Sequence, residues 1–193
     1  MIKEDYASDF IKAMEKEIQN HESLGHWEEI KRYKIPRDTN NIQAIWSFKR
    51  KRSPDGTINK QKALLCAHVG MQQWRVNYWE TYAPVVNWII VRFLLVLSEL
   101  IGLVSKAIEF VLAFPQAKLD VPVYMDLPIG MEVTGYDGKQ NQHALRLKKS
   151  LYGLKQASAN CHSMPKKGLE PRGFKESVAD PCVFIKNKIK EVH

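Results

Sequence analysis

The sequence predicts an α+β fold with an antiparallel sheet packed on helices, and three features carry that prediction. Apolar residues recur with helical spacing near the N-terminus, a long apolar run follows Pro84, and an Asp-Gly pair separates two strand-like segments. A chain of 193 residues with 45% apolar side chains can bury a core of its own, and at roughly 150 residues per domain it forms one domain or two. Low-complexity signatures of collagen, mucin or flexible linkers are absent.

The first element is a helix in which Phe10, Met14 and Ile18 recur every four residues, with Ile11 widening the stripe and Ser8 or Asp9 as the cap. Ile45-Trp46-Ser47-Phe48 alternates into the charge run Lys49-Arg50-Lys51-Arg52, and Ser53-Pro54-Asp55-Gly56 leads into Thr57-Ile58. Glycine tolerates the positive φ that a tight hairpin turn demands, so a basic β-hairpin is predicted here. After Pro84 one long helix is predicted over Val85–Val104, closing near Gly102. Lys106–Leu112 reads as an apolar strand carrying Glu109, Val121–Leu127 as a second and Ala144–Leu151 as a third, with Tyr136–Asn141 as a polar loop. A helix over 155–168 is interrupted on paper by Pro165, which costs about 3 kcal/mol inside a helix.

Trp88–Val104 is nearly long enough to span a membrane, but it contains Arg92 and Glu99. Each costs about 3 kcal/mol at mid-bilayer, so a buried amphipathic helix is the better reading and no membrane partner is expected. Cys66, Cys161 and Cys182 are an odd number without a C-x-x-C pair, which suggests neither a disulfide framework nor a structural zinc site. The charged start, with Lys3, Glu4, Asp5 and Asp9, lacks the apolar stretch of a signal peptide, and an intracellular setting is expected.

The net charge is +8, with residues 31–62 carrying ten basic and two acidic side chains and residues 143–193 eleven and four. Two basic blocks flanking a nearly neutral centre suit a polyphosphate-binding groove, although a solvated lysine face has the same composition. Glu109, a carboxylate within a strand-like run, is a candidate site residue, because a buried carboxylate must be paired, hydrogen-bonded or metal-bound; an exposed edge position is the alternative.

Several runs go beyond composition. Trp46-Ser47-Phe48-Lys49 with Ser53-Pro54-Asp55-Gly56-Thr57, Glu80-Thr81-Tyr82-Ala83-Pro84-Val85-Val86, Lys149-Ser150-Leu151-Tyr152-Gly153-Leu154-Lys155-Gln156-Ala157 and Asp180-Pro181-Cys182-Val183-Phe184 resemble, in order, the reverse transcriptase of copia-type retrotransposons, over roughly Ala13 to Lys186. The resemblance implies part of a right-hand polymerase: residues 1–30 an N-terminal helical segment, 31–83 a fingers-like basic hairpin region, and 84–193 a partial palm that stops before the family's Y-x-D-D hairpin. It also implies an RNA or DNA template-primer and deoxynucleotides as partners, with Mg²⁺ as cofactor.

The family's palm strand has the form D-V-x-x-A-F, followed by a Y-M pair; here Glu109-Phe110-Val111-Leu112-Ala113-Phe114 precedes Tyr124-Met125. By resemblance Glu109 replaces the first metal-binding aspartate, Phe114 is the aromatic beneath the incoming sugar, and Asp120 is a loop residue. Lys49, Lys51 and Lys62 would meet triphosphate or template phosphates, while Tyr152, Gly153, Lys155 and Gln156 belong to the most diagnostic run. Two Mg²⁺ ions about 4 Å apart need a set of carboxylates. Glutamate at 109 moves its oxygens by more than about 1 Å, which can cost on the order of 100-fold in rate.

Lys62-Ala63-Leu64-Leu65 stands where the family reads K-A-R-L, so a leucine replaces the arginine expected to grip the triphosphate. Ser158-Ala159-Asn160-Cys161-His162 departs from the family's continuation, and no Asp-Asp pair occurs in the chain. The expectation is therefore a truncated, inactive polymerase fragment, or a nucleic-acid-binding module on the same fold, with self-association through an exposed sheet edge.

Overall fold

The computed structural model describes residues 7–110, 112–131 and 142–186; the predicted loop Tyr136–Asn141 lies outside them. In chain order the elements are α1 (Ala7–Ser23), β1 (Trp27–Lys31), β2 (Asn41–Ile42), β3 (Ala44–Arg52), β4 (Ile58–Ala67), α2 (Trp88–Leu100), α3 (Ala113–Gln116), β5 (Lys118–Met125), β6 (His143–Lys149), α4 (Ala157–Leu169), β7 (Lys175–Glu176) and β8 (Phe184–Ile185). The α+β class holds. Strands β1, β6, β5 and β2 form one four-stranded sheet in that order, β3 and β4 form the predicted hairpin, and β7 pairs with β8. All these pairings are antiparallel except β2 with β5, a short parallel pair at Asn41↔Tyr124 and Ile42↔Met125.

Ile18, Trp27, Ile42, Leu65, Ala67, Val123, Met125, Leu145, Leu147, Leu151, Leu154 and Ala157 form one cluster of buried side chains. The hairpin base, the sheet and the start of α4 therefore share a core. α1 lies on β4, burying Phe10 and Ile18. Its buried face turns toward Glu17 and His21 rather than toward Ile11, which is 53% exposed. His21 and His26 meet Nδ1 to Nδ1 at 2.6 Å, with the Trp27 ring stacked on His21 at 5.0 Å. Burial, with His21 and then Lys149 adding to it against Glu17, lowers the His26 pKa to about 4.

Four expectations are corrected. Among the described residues the strand predicted over 106–112 does not form: residues 103–110 have no regular structure, Ile108 is 79% exposed, and the short α3 begins after Leu112 in a left-handed conformation. An extended segment becomes a strand only when a neighbour takes its backbone hydrogen bonds, and β5 spends its own on β2 and β6. Asp120 lies inside β5 rather than in a loop, because the strand begins two residues earlier and pairs Lys118 with Lys149.

α4 continues through Pro165. Proline at this position withholds one hydrogen bond from the Cys161 carbonyl, which the packing of α4 on α3 outweighs. The helix after Pro84 is shorter than predicted, Trp88–Leu100, capped by Asn87 Oδ1 accepting from the Ile89 amide and closed by Gly102 at φ +67°. It does not back the sheet, and none of its residues is buried. Ile89, Phe93, Val96 and Leu100 face solvent instead of the core. No helix among the described residues is long and apolar enough to cross a membrane.

Candidate functional site

The hairpin decides where the basic residues point. Its turn is closed by the Ser53 amide donating to the Thr57 carbonyl at 2.9 Å and by Asp55 Oδ1 accepting from the Thr57 amide and hydroxyl, with Gly56 at φ +86°. Those bonds, the Thr57 hydroxyl first, hold the Asp55 carboxyl below its ordinary range. The register then pairs Lys49 with Lys62 and Lys51 with Lys60. Side chains alternate along a strand, so all four lysines share one face.

The other face carries Trp46, Phe48, Ala63 and Leu65 and is covered by α1: Phe10 meets Phe48 edge-on at 5.0 Å, and Gln61 Nε2 donates to Asp9 Oδ2 at 3.2 Å. The lysine face is left to solvent, and all four are exposed. Like charges directly opposite cost roughly 0.2–1 kcal/mol per pair. Leu64, half-buried opposite Ser47, continues the same face and ends the basic row. Lys60 was not among the sequence candidates. Its signal was the alternation Lys60-x-Lys62 opposite Lys49-x-Lys51, which acquires meaning only once the register is known.

The run Lys149–Ala157 is a joint between hairpin and sheet. The Ser150 amide donates to the Ala117 carbonyl at 2.7 Å and the Ala67 amide to the Tyr152 carbonyl at 2.8 Å. Gly153 sits at φ +87° with Ala67 N 3.2 Å from where a Cβ would lie and the Ala67 carbonyl oxygen closer still. Gln156 is buried, accepting from Gln72 Nε2 at 2.9 Å and donating to the Asn77 carbonyl at 2.8 Å. Lys155 donates its amide to Gln72 Oε1 and its Nζ to the Tyr78 hydroxyl at 3.0 Å. These residues hold the chain together at a crossing point.

Phe114 is half-buried, edge-on to the Tyr152 ring at 5.4 Å. Burial above all, then Glu17, pushes the Tyr152 phenol up, and burial likewise raises the Cys66 thiol, so neither group is activated as a nucleophile. Glu109 stands exposed in the segment without regular structure. Among the described residues no three His, Cys, Asp or Glu side chains come together as a metal site, so these residues do not fit a pair of magnesium ions.

The basic hairpin and the α+β sheet thus meet at the Tyr152-Gly153 crossing, within the longest of the family-like runs. Residues 27–191 match the family model described as "Reverse transcriptase (RNA-dependent DNA polymerase)". The chain belongs to this family, in its copia-type branch. It is 27% identical over 91% of its length to the "Retrovirus-related Pol polyprotein from transposon TNT 1-94" of Nicotiana tabacum, covering 13% of that protein. It is 31% identical over 76% of its length to the corresponding polyprotein from transposon RE1 of Arabidopsis thaliana, covering 10%, and 31% over 72% to that from transposon RE2, covering 9%. The chain thus spans about a tenth of these relatives. No solved structure matches it.

Proposed function

We propose that this chain is the fingers and first part of the palm of a copia-type reverse transcriptase, with 1–30 as a helical lead-in, 31–83 as fingers and 84–193 as palm, and that by itself it binds nucleic acid without extending a primer. One observation carries the binding: Lys49, Lys51, Lys60 and Lys62 are forced into a square of like charges on a solvent face, with no ion pair to any of them among the described residues. Such an arrangement is unfavourable alone and favourable against phosphates. Template-primer backbone and the triphosphate of a deoxynucleotide are the ligands the family supplies, with Phe114 near the sugar. Among the described residues Glu109 joins no cluster of three metal-ligating side chains, which supports the second half of the proposal, since divalent-metal polymerisation needs several carboxylates at one point.

Filter binding across a salt series tests the lysines. Four phosphate contacts give a slope of log K against log salt of about −3 to −4, and Lys49→Ala with Lys51→Ala flattens it by about 2. An unchanged slope removes the lysine face from the interface. Primer extension on a primed RNA template with Mg²⁺ tests the rest; incorporation by the purified chain would end the claim that it only binds.

Self-association also belongs to this reading. The sheet edge β1 carries Glu28, Glu29 and Lys31, which blunt it, while α2 exposes Ile89, Phe93, Val96 and Leu100 at heptad spacing. Arg92 and Glu99 flank that seam, so an antiparallel second copy would face each with its opposite charge. Light scattering of the wild type and Phe93→Glu checks this; two monomers of equal mass refute it.

A further inference from the structure

Residues 72–79 form a loop that is polar and buried on its inside and aromatic on its outside. Gln72 and Asn77 are 5% and 0% exposed. Asn77 Oδ1 accepts from the Gln73 amide at 2.9 Å, its own amide donates to the Gln73 carbonyl at 2.9 Å, and its carbonyl takes Gln156 Nε2. This network holds Arg75 at φ +65°, a conformation unusual for a long side chain, with its amide donating to the Tyr78 carbonyl at 2.9 Å.

The rigid frame presents two indoles to water. Trp74 is 58% and Trp79 56% exposed. The Arg75 guanidinium lies 4.2 Å over the Trp74 ring, Trp74 Nε1 donates to the Trp79 carbonyl at 3.3 Å, and the three side chains line an open recess of about 340 Å³. Tyr82, 73% exposed, follows three residues after Trp79. Between them, Glu80 turns its Oε1 back onto the Thr81 and Tyr82 amides at 2.8 Å each. The recess itself is therefore lined by one guanidinium and no carboxylate.

Flat aromatic faces beside a cation are the means by which proteins hold unpaired bases, the rings stacking on the bases while the cation meets the backbone. A duplex offers no free base faces to such a site. We propose that Trp74, Arg75 and Trp79 form a stacking platform for single-stranded nucleic acid, with the exposed indole rings against bases and Arg75, held over the Trp74 ring, against the adjoining phosphate. The platform rests on the reading that this chain binds nucleic acid, but it uses residues separate from the lysine face.

The test is fluorescence anisotropy of the full chain with three labelled probes: a dT dodecamer, a U dodecamer and a duplex of the same length. Trp74→Ala with Trp79→Ala lowers affinity for both single strands about tenfold or more, leaves the duplex unchanged and keeps the salt slope; Trp74→Phe with Trp79→Phe restores most of the loss. Lys49→Ala with Lys51→Ala instead weakens all three probes and flattens the slope. Wild-type single-strand affinity in the double alanine variant overturns the platform while leaving the lysine reading intact. An equal loss on duplex and single strands also overturns it, since the indoles would then serve the fold. If the lysine variant changes nothing and the tryptophan variant weakens only single strands, the platform stands and the lysine reading falls. No binding of any probe by the wild type refutes both.

Discussion

Replacing Gly153 by alanine isolates the role of the Tyr152-Gly153 crossing. At φ +87° an alanine pays a backbone cost of about 1–2 kcal/mol. Its Cβ also enters the space of the Ala67 carbonyl oxygen and lies 3.2 Å from the Ala67 amide nitrogen. The hairpin base must then move, which loosens the 2.8 Å bond from the Ala67 amide to the Tyr152 carbonyl. Overpacking costs typically 1–3 kcal/mol and a lost hydrogen bond about 1.

The expected loss is therefore about 3–6 kcal/mol, a large part of the 5–15 kcal/mol that holds a typical domain. With a urea slope of about 2 kcal/mol per molar, the midpoint falls by about 1.5–3 M. Gly56→Ala supplies the comparison, because Gly56 has nearly the same φ, +86°, with nothing within 4 Å of a Cβ. It isolates the backbone cost, a midpoint shift of about 1 M or less. Urea unfolding followed by circular dichroism reads both. Equal shifts for the two variants would refute the close approach to Ala67 and reduce Gly153 to a turn residue.

Gln156→Ala removes its two hydrogen bonds to the 72–78 loop and leaves the Asn77 carbonyl and Gln72 amide without those partners inside the protein; a loss of about 2–4 kcal/mol is expected in the same assay. Pro165→Ala restores a donor within α4 and stabilises the fold by about 1–3 kcal/mol, raising the melting midpoint; an unchanged midpoint refutes the cost assigned to the proline. His26 is held neutral, its pKa lowered from 6.5 to about 4. The unfolded chain therefore binds the extra proton first, so stability is complete above about pH 6.5 and falls as the pH drops toward 4, by roughly 2–3 kcal/mol. His26→Gln should flatten that part of the stability profile; an identical acid limb in wild type and variant removes His26 as its source.

Features set by neighbouring residues were legible in the sequence. The Phe10, Met14, Ile18 stripe marks α1, Asp55-Gly56 marks the hairpin turn, and Gly102 marks the end of α2, because turns, C-caps and helical periodicity depend on residues a few positions apart. The strands β1 and β2 were not legible. Trp27–Lys31 is a strand only because β6, more than a hundred residues later, accepts it as an edge, and nothing local announces that pairing. Lys106–Leu112 failed in the opposite sense, its strand-like composition finding no neighbour among the described residues. The motif Lys149–Ala157 was legible as a family signature, but its physical work, packing Gly153 against Ala67 and burying Gln156 beside Asn77, was not.

By itself, then, the sequence determined the class of fold, the charge of the hairpin and the family, since composition, turn chemistry and motif order survive without coordinates. The tertiary structure decided which side chains share a surface. Register sets Lys60 across from Lys51, α1 covers one hairpin face and spares the other, and a buried asparagine aims two tryptophans outward. Such placements depend on contacts between residues remote in the chain, whose energies no local window contains.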